Sequence, residues 1–112
     1  MNHTIGPQLS GRVQLEAGHP LLADHFPGAP VAPGSLIVEF FAEQLRRQGL
    51  QPARPLEILS VERFRFRDFI KPGEYEYFIA YTEDLSEALC QIKDPSGRVF
   101  ASGRFVLHIK QS

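Results

Sequence analysis

The chain has 112 residues, 43% of them hydrophobic and 22% charged, and this length and composition predict a single globular domain. Its formal net charge of -1 excludes bulk positive charge as a means of holding nucleic acid or an anionic lipid surface. Cys90 is the only cysteine, which excludes an intramolecular disulfide framework, and the four histidines show no zinc-finger spacing with it.

The start of the chain shows no targeting segment. The first ten residues combine neither a basic start nor an apolar run, so no secretory signal is expected. The most apolar stretch, residues 36–42, is short and carries Glu39, so no membrane span is expected. The sequence therefore predicts a cytoplasmic protein.

The first third of the chain predicts a strand followed by a long loop. Residues 11–16 alternate, with Val13 and Leu15 on one side, which is typical of a short strand. Residues 17–33 carry four prolines, which remove N–H donors and fix φ angles. No regular element is expected there, and long ordered loops in small domains are often functional.

A helix is predicted over residues 34–48. Pro33 suits the start of a first helical turn, the apolar residues recur at helical spacing, and Gly49 is a favoured residue just past a helix end. Val38 and Ala42 extend the apolar side almost all round, so we expect a helix that is buried on most sides.

The second half of the chain predicts an antiparallel meander. Together with the single helix it gives the α+β class, in which one helix packs against an antiparallel sheet. The predicted strands cover residues 56–67, 75–81, 88–93 and 98–109, and the predicted turns cover residues 71–74 and 94–97.

The segment 25–39 carries the chemistry that the sequence suggests. A Pro/Gly loop presents His25 and then leads into a helix that starts at Gly34, where free N–H groups suit an anion or a polarised carbonyl oxygen. Glu39 follows within an apolar helix, where a carboxylate is expensive unless it is paired or functional. A base, an acid and an N–H donor form a plausible acid–base set.

Simpler interpretations of the same residues stay open. A histidine in a loop usually makes only solvent or backbone contacts. A glutamate in such a helix can face outward or pair with an arginine. The sequence alone does not show that His25, Gly34 and Glu39 converge.

The segment HFPGAPVAPGSLIVE resembles the signature of the β-hydroxyacyl-acyl-carrier-protein dehydratases, with Glu39 standing 14 positions after His25 as in that family. A second block, SVERFRFRDFIKPGE, is similar to the family's strand and the Pro-Gly-acid turn that follows it. The resemblance covers about residues 13–109. It implies the hot-dog fold, in which an antiparallel sheet wraps one long central helix.

The resemblance also implies roles for individual residues. His25 would remove the proton on the carbon next to a thioester carbonyl, and Glu39 would protonate or orient the departing hydroxyl. The N–H of Gly34 would polarise the thioester carbonyl, and the Val31 carbonyl would orient the imidazole, with Phe26 as a further substrate contact. The family needs no metal or organic cofactor. Its members form homodimers, some assembled further, whose sites draw the histidine and the acid from different subunits.

The implied reaction is dehydration of a 3-hydroxyacyl thioester, carried on acyl carrier protein, to a trans-2-enoyl thioester. With a glutamate and not an aspartate at position 39, the motif resembles that of the family branch that does not isomerise the double bond. Asp24 departs from the glycine usual before the histidine.

Two alternatives remain: a thioesterase in which Glu39 activates water, and a non-catalytic subunit that binds acyl carriers.

Two further groups of residues have two readings each. The basic side chains of the second block form either a docking face for an acidic acyl carrier protein or a solvated strand face. Several aromatic side chains either line an acyl tunnel or belong to the ordinary core. The basic residues are Arg63, Arg65, Arg67 and Lys71, and the aromatic ones are Phe40, Phe41, Phe64, Phe66 and Phe69.

Overall fold

The computed structural model describes residues 5–15, 23–26, 29–31, 34–48 and 56–109. This part of the chain forms one helix and seven strands. In chain order they are β1 (Ile5–Leu15), β2 (Ala23–Phe26), β3 (Ala29–Val31), α1 (Gly34–Gln48), β4 (Leu56–Phe66), β5 (Gly73–Thr82), β6 (Glu87–Lys93) and β7 (Val99–Ile109).

The helix has the predicted bounds but not the predicted burial. Ile37, Phe41 and Leu45 recur once per turn and are completely buried. The opposite side is polar and exposed, so α1 is amphipathic rather than buried on most sides. The exposed residues of α1 are Ser35, Glu39, Glu43, Arg46 and Arg47.

Five strands form one antiparallel sheet in the order β1-β5-β6-β7-β4. The predicted meander is confirmed for β5, β6 and β7. The strand that follows the helix, β4, pairs with β7 instead of β5, so it lies at the far edge of the sheet. The inner face of the sheet packs its buried side chains, such as Tyr77, Ile79 and Phe105, together with α1 in one core. The architecture is therefore the predicted α+β class.

The long proline-rich loop contains a small hairpin that the sequence did not predict. Strands β2 and β3 pair as a separate two-stranded antiparallel sheet, through Ala23 with Val31 and Phe26 with Ala29. Pro30 is not one of these paired residues, so its missing N–H breaks none of those pairings. The density of prolines therefore limits the length of the strands without preventing them.

A β-bulge interrupts β4 where the arginines alternate with phenylalanines. Glu62 lies opposite Arg104 and Arg65 opposite Ser102, so two residues of β4 face Gly103 alone. Arg63 takes a left-handed backbone conformation with φ of 57°. The bulge lets the ring of Phe64 lie directly over Gly103, where an added Cβ would clash with the ring.

This close approach predicts that position 103 tolerates no side chain. We expect Gly103→Ala to lower the free energy of unfolding by about 1–3 kcal/mol, because a methyl group there overpacks against Phe64. Urea unfolding measures the loss. The double variant Gly103→Ala/Phe64→Leu should lose less than the sum of the two single variants, since the smaller side chain relieves the clash. Strict additivity would contradict this explanation.

Candidate functional site

The predicted base lies in the β2–β3 hairpin, which precedes the helix along the chain. His25 lies in β2, Val31 ends β3, and α1 begins at Gly34. The side chains of His25, Phe26 and Val31 lie outside the described residues. Their assigned roles therefore remain predictions.

Gly34, whose N–H is the predicted polarising group, is the first residue of α1. The first N–H groups of a helix have no partner within the helix and carry a partial positive charge. No acidic residue lies in the first turn of α1 to neutralise that charge. The ring of Phe66 packs against Gly34, and a Cβ added to Gly34 would lie 3.1 Å from two of the ring carbons.

Glu39 lies on the exposed side of the helix, not in the core. Its side chain is 66% exposed, and one carboxylate oxygen lies 3.3 Å from the guanidinium of Arg46. The expectation of a buried carboxylate is therefore wrong for the single chain. The amphipathic helix explains the difference, because Glu39 sits between the buried positions Ile37 and Phe41 and points the other way. An outward-facing glutamate paired with an arginine is what the single chain shows.

The predicted basic face is present, although the bulge changes its geometry. Arg63, Arg65, Arg67 and Lys71 are exposed, and none forms an ion pair with another described residue. Arg65 lies opposite Ser102 on the outer face, but simple alternation no longer assigns Arg63 to that face. By contrast, the other arginines in the described residues all pair with carboxylates. They are Arg12, Arg46, Arg47, Arg98 and Arg104.

A surface cavity of about 250 Å³ opens where β4 ends, lined by Phe66, Arg67, Asp68 and Phe69. Asp68 holds this segment in place, because it pairs with Arg98 at 2.7 Å and accepts a hydrogen bond from the Phe69 N–H at 2.8 Å. Phe69 is 65% exposed. Phe66 and Phe69 are among the aromatic residues that the sequence suggested for an acyl tunnel, and Arg67 is among its candidate docking residues, but the sequence did not predict that they line one cavity.

Other reactive groups among the described residues belong to the core or the surface. Burial raises the pKa of the Cys90 thiol to about 12, so Cys90 is a packing residue and not a nucleophile. No group of three His, Cys, Asp or Glu side chains in the described part of the chain could hold a metal ion. The one described helix, α1, is not long and apolar enough to cross a membrane.

Residues 3–104 match the model of the ApeI-like family, described as ApeI dehydratase. The chain belongs to this family. It is also 30% identical over 108 residues to the 3-hydroxyacyl-[acyl-carrier-protein] dehydratase FabZ of Bordetella pertussis, a match that covers 86% of this chain and 68% of that one. The resemblance to the hydroxyacyl dehydratases is therefore confirmed.

The chain is also similar to part of a second sequence relative and to the whole of a solved structure. FabZ of Myxococcus xanthus is 32% identical over 75 residues, and the match spans about half of that relative, 49% of its length. The solved dehydratase heterocomplex ApeI:P from Xenorhabdus doucetiae superposes with a TM-score of 0.72, covering 96% of this chain and 98% of that one at 17% identity. The latter similarity confirms the hot-dog fold.

Proposed function

We propose that this protein dehydrates 3-hydroxyacyl thioesters, carried on acyl carrier protein, to trans-2-enoyl thioesters. The observation that carries the proposal is the spacing of His25, Gly34 and Glu39 around the start of α1 in a chain of a dehydratase family. The proposed site combines a base, an acid and a helix N-terminus, and the chemistry requires all three.

The reaction would proceed as follows. The imidazole of His25 removes the proton from the carbon next to the thioester carbonyl, and negative charge develops on the carbonyl oxygen. The N–H of Gly34 and the positive end of α1 stabilise this charge. The electron pair then forms the carbon–carbon double bond as the bond to the β-hydroxyl breaks, and Glu39 supplies the proton with which that group leaves as water.

We further propose that the active unit is a homodimer in which His25 and Glu39 come from different subunits. The exposed position of Glu39 supports this, because the single chain leaves its carboxylate on the helix surface beside Arg46 and not inside the core. The edge strand β4 gives independent support, since Leu59 and Val61 on it are 57% and 44% exposed. A long edge strand with exposed apolar side chains is normally covered, and a second copy would cover it.

We propose that the exposed basic residues in and after β4 bind the carrier protein. They are Arg63, Arg65, Arg67 and Lys71. Unpaired cations attract an acidic partner, whereas an arginine that is already paired has much of its charge compensated. Arg67 also lines the cavity at the end of β4, so the same residues would bind the carrier close to its phosphopantetheine arm.

The first prediction for this function concerns His25. Incubation with a 3-hydroxyacyl carrier protein should remove one water from the acyl group, as measured by intact mass spectrometry. His25→Ala should slow the loss by about 10²–10⁴-fold, because the base is gone. His108→Ala is the matched control, since His108 is an exposed histidine of β7 and should leave the rate unchanged. Glu39→Gln should also strongly lower the rate of water loss.

Other outcomes of this assay exclude the proposal. Loss of the entire acyl group would make the protein a thioesterase. Equal turnover in the wild type and His25→Ala would remove His25 from the mechanism. Unchanged kinetics in Glu39→Gln would remove Glu39 from the role of the acid.

The second prediction concerns the carrier. Arg63→Glu/Arg65→Glu should raise KM for the carrier-bound substrate by about tenfold, because the reversed charges repel an acidic partner and neither residue lines the cavity. KM for the same acyl group on free pantetheine should stay the same. Lys93→Glu is the control, since this cation lies elsewhere, over the ring of Phe78. An equal rise for both substrates, or the same rise in the control, would contradict carrier docking at these residues.

A non-catalytic role in a mixed complex is the second candidate function. The solved ApeI:P structure is a dehydratase heterocomplex, and in this chain Glu39 pairs with Arg46 instead of reaching into an enclosed site. A folded homodimer that converts neither short nor medium acyl chains on the carrier would favour this candidate over the dehydratase.

A further inference from the structure

Phe66 lies between the start of the helix and the cavity at the end of β4. Two carbons of its ring stand 3.1 Å from the place where a Cβ of Gly34 would be. The same residue lines the cavity with Phe69. Phe66 is nevertheless 44% exposed, so it is not simply a core residue. A ring in this position forms a wall beside the N–H group that the proposed mechanism uses.

A series of aromatic contacts fixes the position of that ring. Phe66 stacks on Phe64, with ring centroids 6.1 Å apart and an interplanar angle of 28°. Phe64 in turn packs against the buried rings of Phe41 and Phe105, at 6.0 Å and 5.6 Å between centroids. Gly103 leaves the space under Phe64 that this arrangement needs. The core thus sets where the exposed ring of Phe66 stands.

The segment after Phe66 is also held firmly. The backbone N–H of Arg67 donates to the Phe100 carbonyl at 2.8 Å. The hydroxyl of Tyr75 accepts a hydrogen bond from the Lys71 N–H at 3.1 Å and donates to the Lys71 carbonyl at 2.8 Å. Because both ends of the segment are tied to the sheet, its backbone beside the cavity is held in place. Rigid surroundings are what a positioning residue requires.

We propose that Phe66 is a positioning residue that holds the acyl thioester against the N–H of Gly34. The thioester would lie along the cavity beside Phe66 and Phe69, with its carbonyl oxygen at the helix N-terminus. The ring of Phe66 limits the space beside that oxygen, and so fixes the direction in which the neighbouring carbon presents its proton. This inference rests on the proposed dehydratase function and adds a residue to its site.

Removal of the ring should therefore affect turnover more than binding. We expect Phe66→Ala to lower kcat by about ten- to a hundredfold with a smaller rise in KM, because misplacement of the reacting atoms by about 1 Å has effects of that size. The measurement is steady-state kinetics with the acyl group on free pantetheine, which leaves carrier docking out. Phe66→Leu should recover most of kcat, since it restores a wall of similar breadth.

Phe78→Ala is the matched control. Phe78 is another partly exposed phenylalanine of the same sheet, 37% exposed, but it lies on β5 beneath Lys93. Its loss should leave kcat and KM unchanged. Thermal unfolding of each variant separates a loss of folded protein from a loss of turnover per folded site.

A second arm tests the contact with Gly34 directly. Gly34→Ala should lower kcat, because its methyl group and the ring of Phe66 compete for the same space. The double variant Gly34→Ala/Phe66→Leu should be more active than the product of the two single effects, since the leucine can yield. Strictly multiplicative effects would show that the contact does not matter and would overturn the inference.

The outcomes separate this inference from the proposed function. An inactive wild type overturns the dehydratase and this role of Phe66 with it. An active wild type with unchanged kcat in Phe66→Ala overturns only the role of Phe66. A fall in kcat that matches the fall in folded protein makes Phe66 a structural residue and also overturns the proposal.

Discussion

The burial of one side of α1 on the inner face of the sheet is the constraint on which the rest of the structure depends. Ile37, Phe41 and Leu45 are completely buried there, and full burial of such side chains contributes about 1.5–3 kcal/mol each. Their spacing fixes the rotation of the helix. That rotation turns Glu39 away from the core and sets Gly34 against Phe66. Core packing thus decides where two of the proposed functional groups lie.

The parts of the fold that follow from local rules could be predicted from the sequence. The bounds of α1 follow from Pro33, the helical spacing of apolar residues and Gly49. The turn at 94–97 follows from Asp94, which accepts hydrogen bonds from the backbone N–H groups of Ser96 and Arg98. The position of β4 beside β7 could not be predicted, because strand order is set by contacts between distant residues. The bulge depends on Gly103, forty residues from Arg63 in sequence, so alternation alone misses it.

The candidate site, like the fold, has features that the sequence predicts and features that it does not. The motif predicts His25, Gly34 and Glu39 because the order of residue types is long and specific. It does not predict the exposure of Glu39, since an apolar helix sequence does not reveal which side meets the sheet. The sequence also does not distinguish Phe66 from the aromatic residues around it as a positioning residue, because an aromatic residue at the end of a strand usually belongs to the core. Only the contact of its ring with Gly34 distinguishes it.

The proposed mechanism requires one site shared by two copies of the chain, and subunit complementation tests this most directly. His25→Ala and Glu39→Gln chains, each inactive alone, are produced together with different tags, and the mixed dimer is assayed on a 3-hydroxyacyl carrier protein. Random pairing makes half of the dimers mixed, each with one complete site, so we predict about a quarter of the wild-type rate in the unfractionated mixture. A mixed dimer without activity, beside an active wild type, would contradict a site that draws His25 and Glu39 from different subunits.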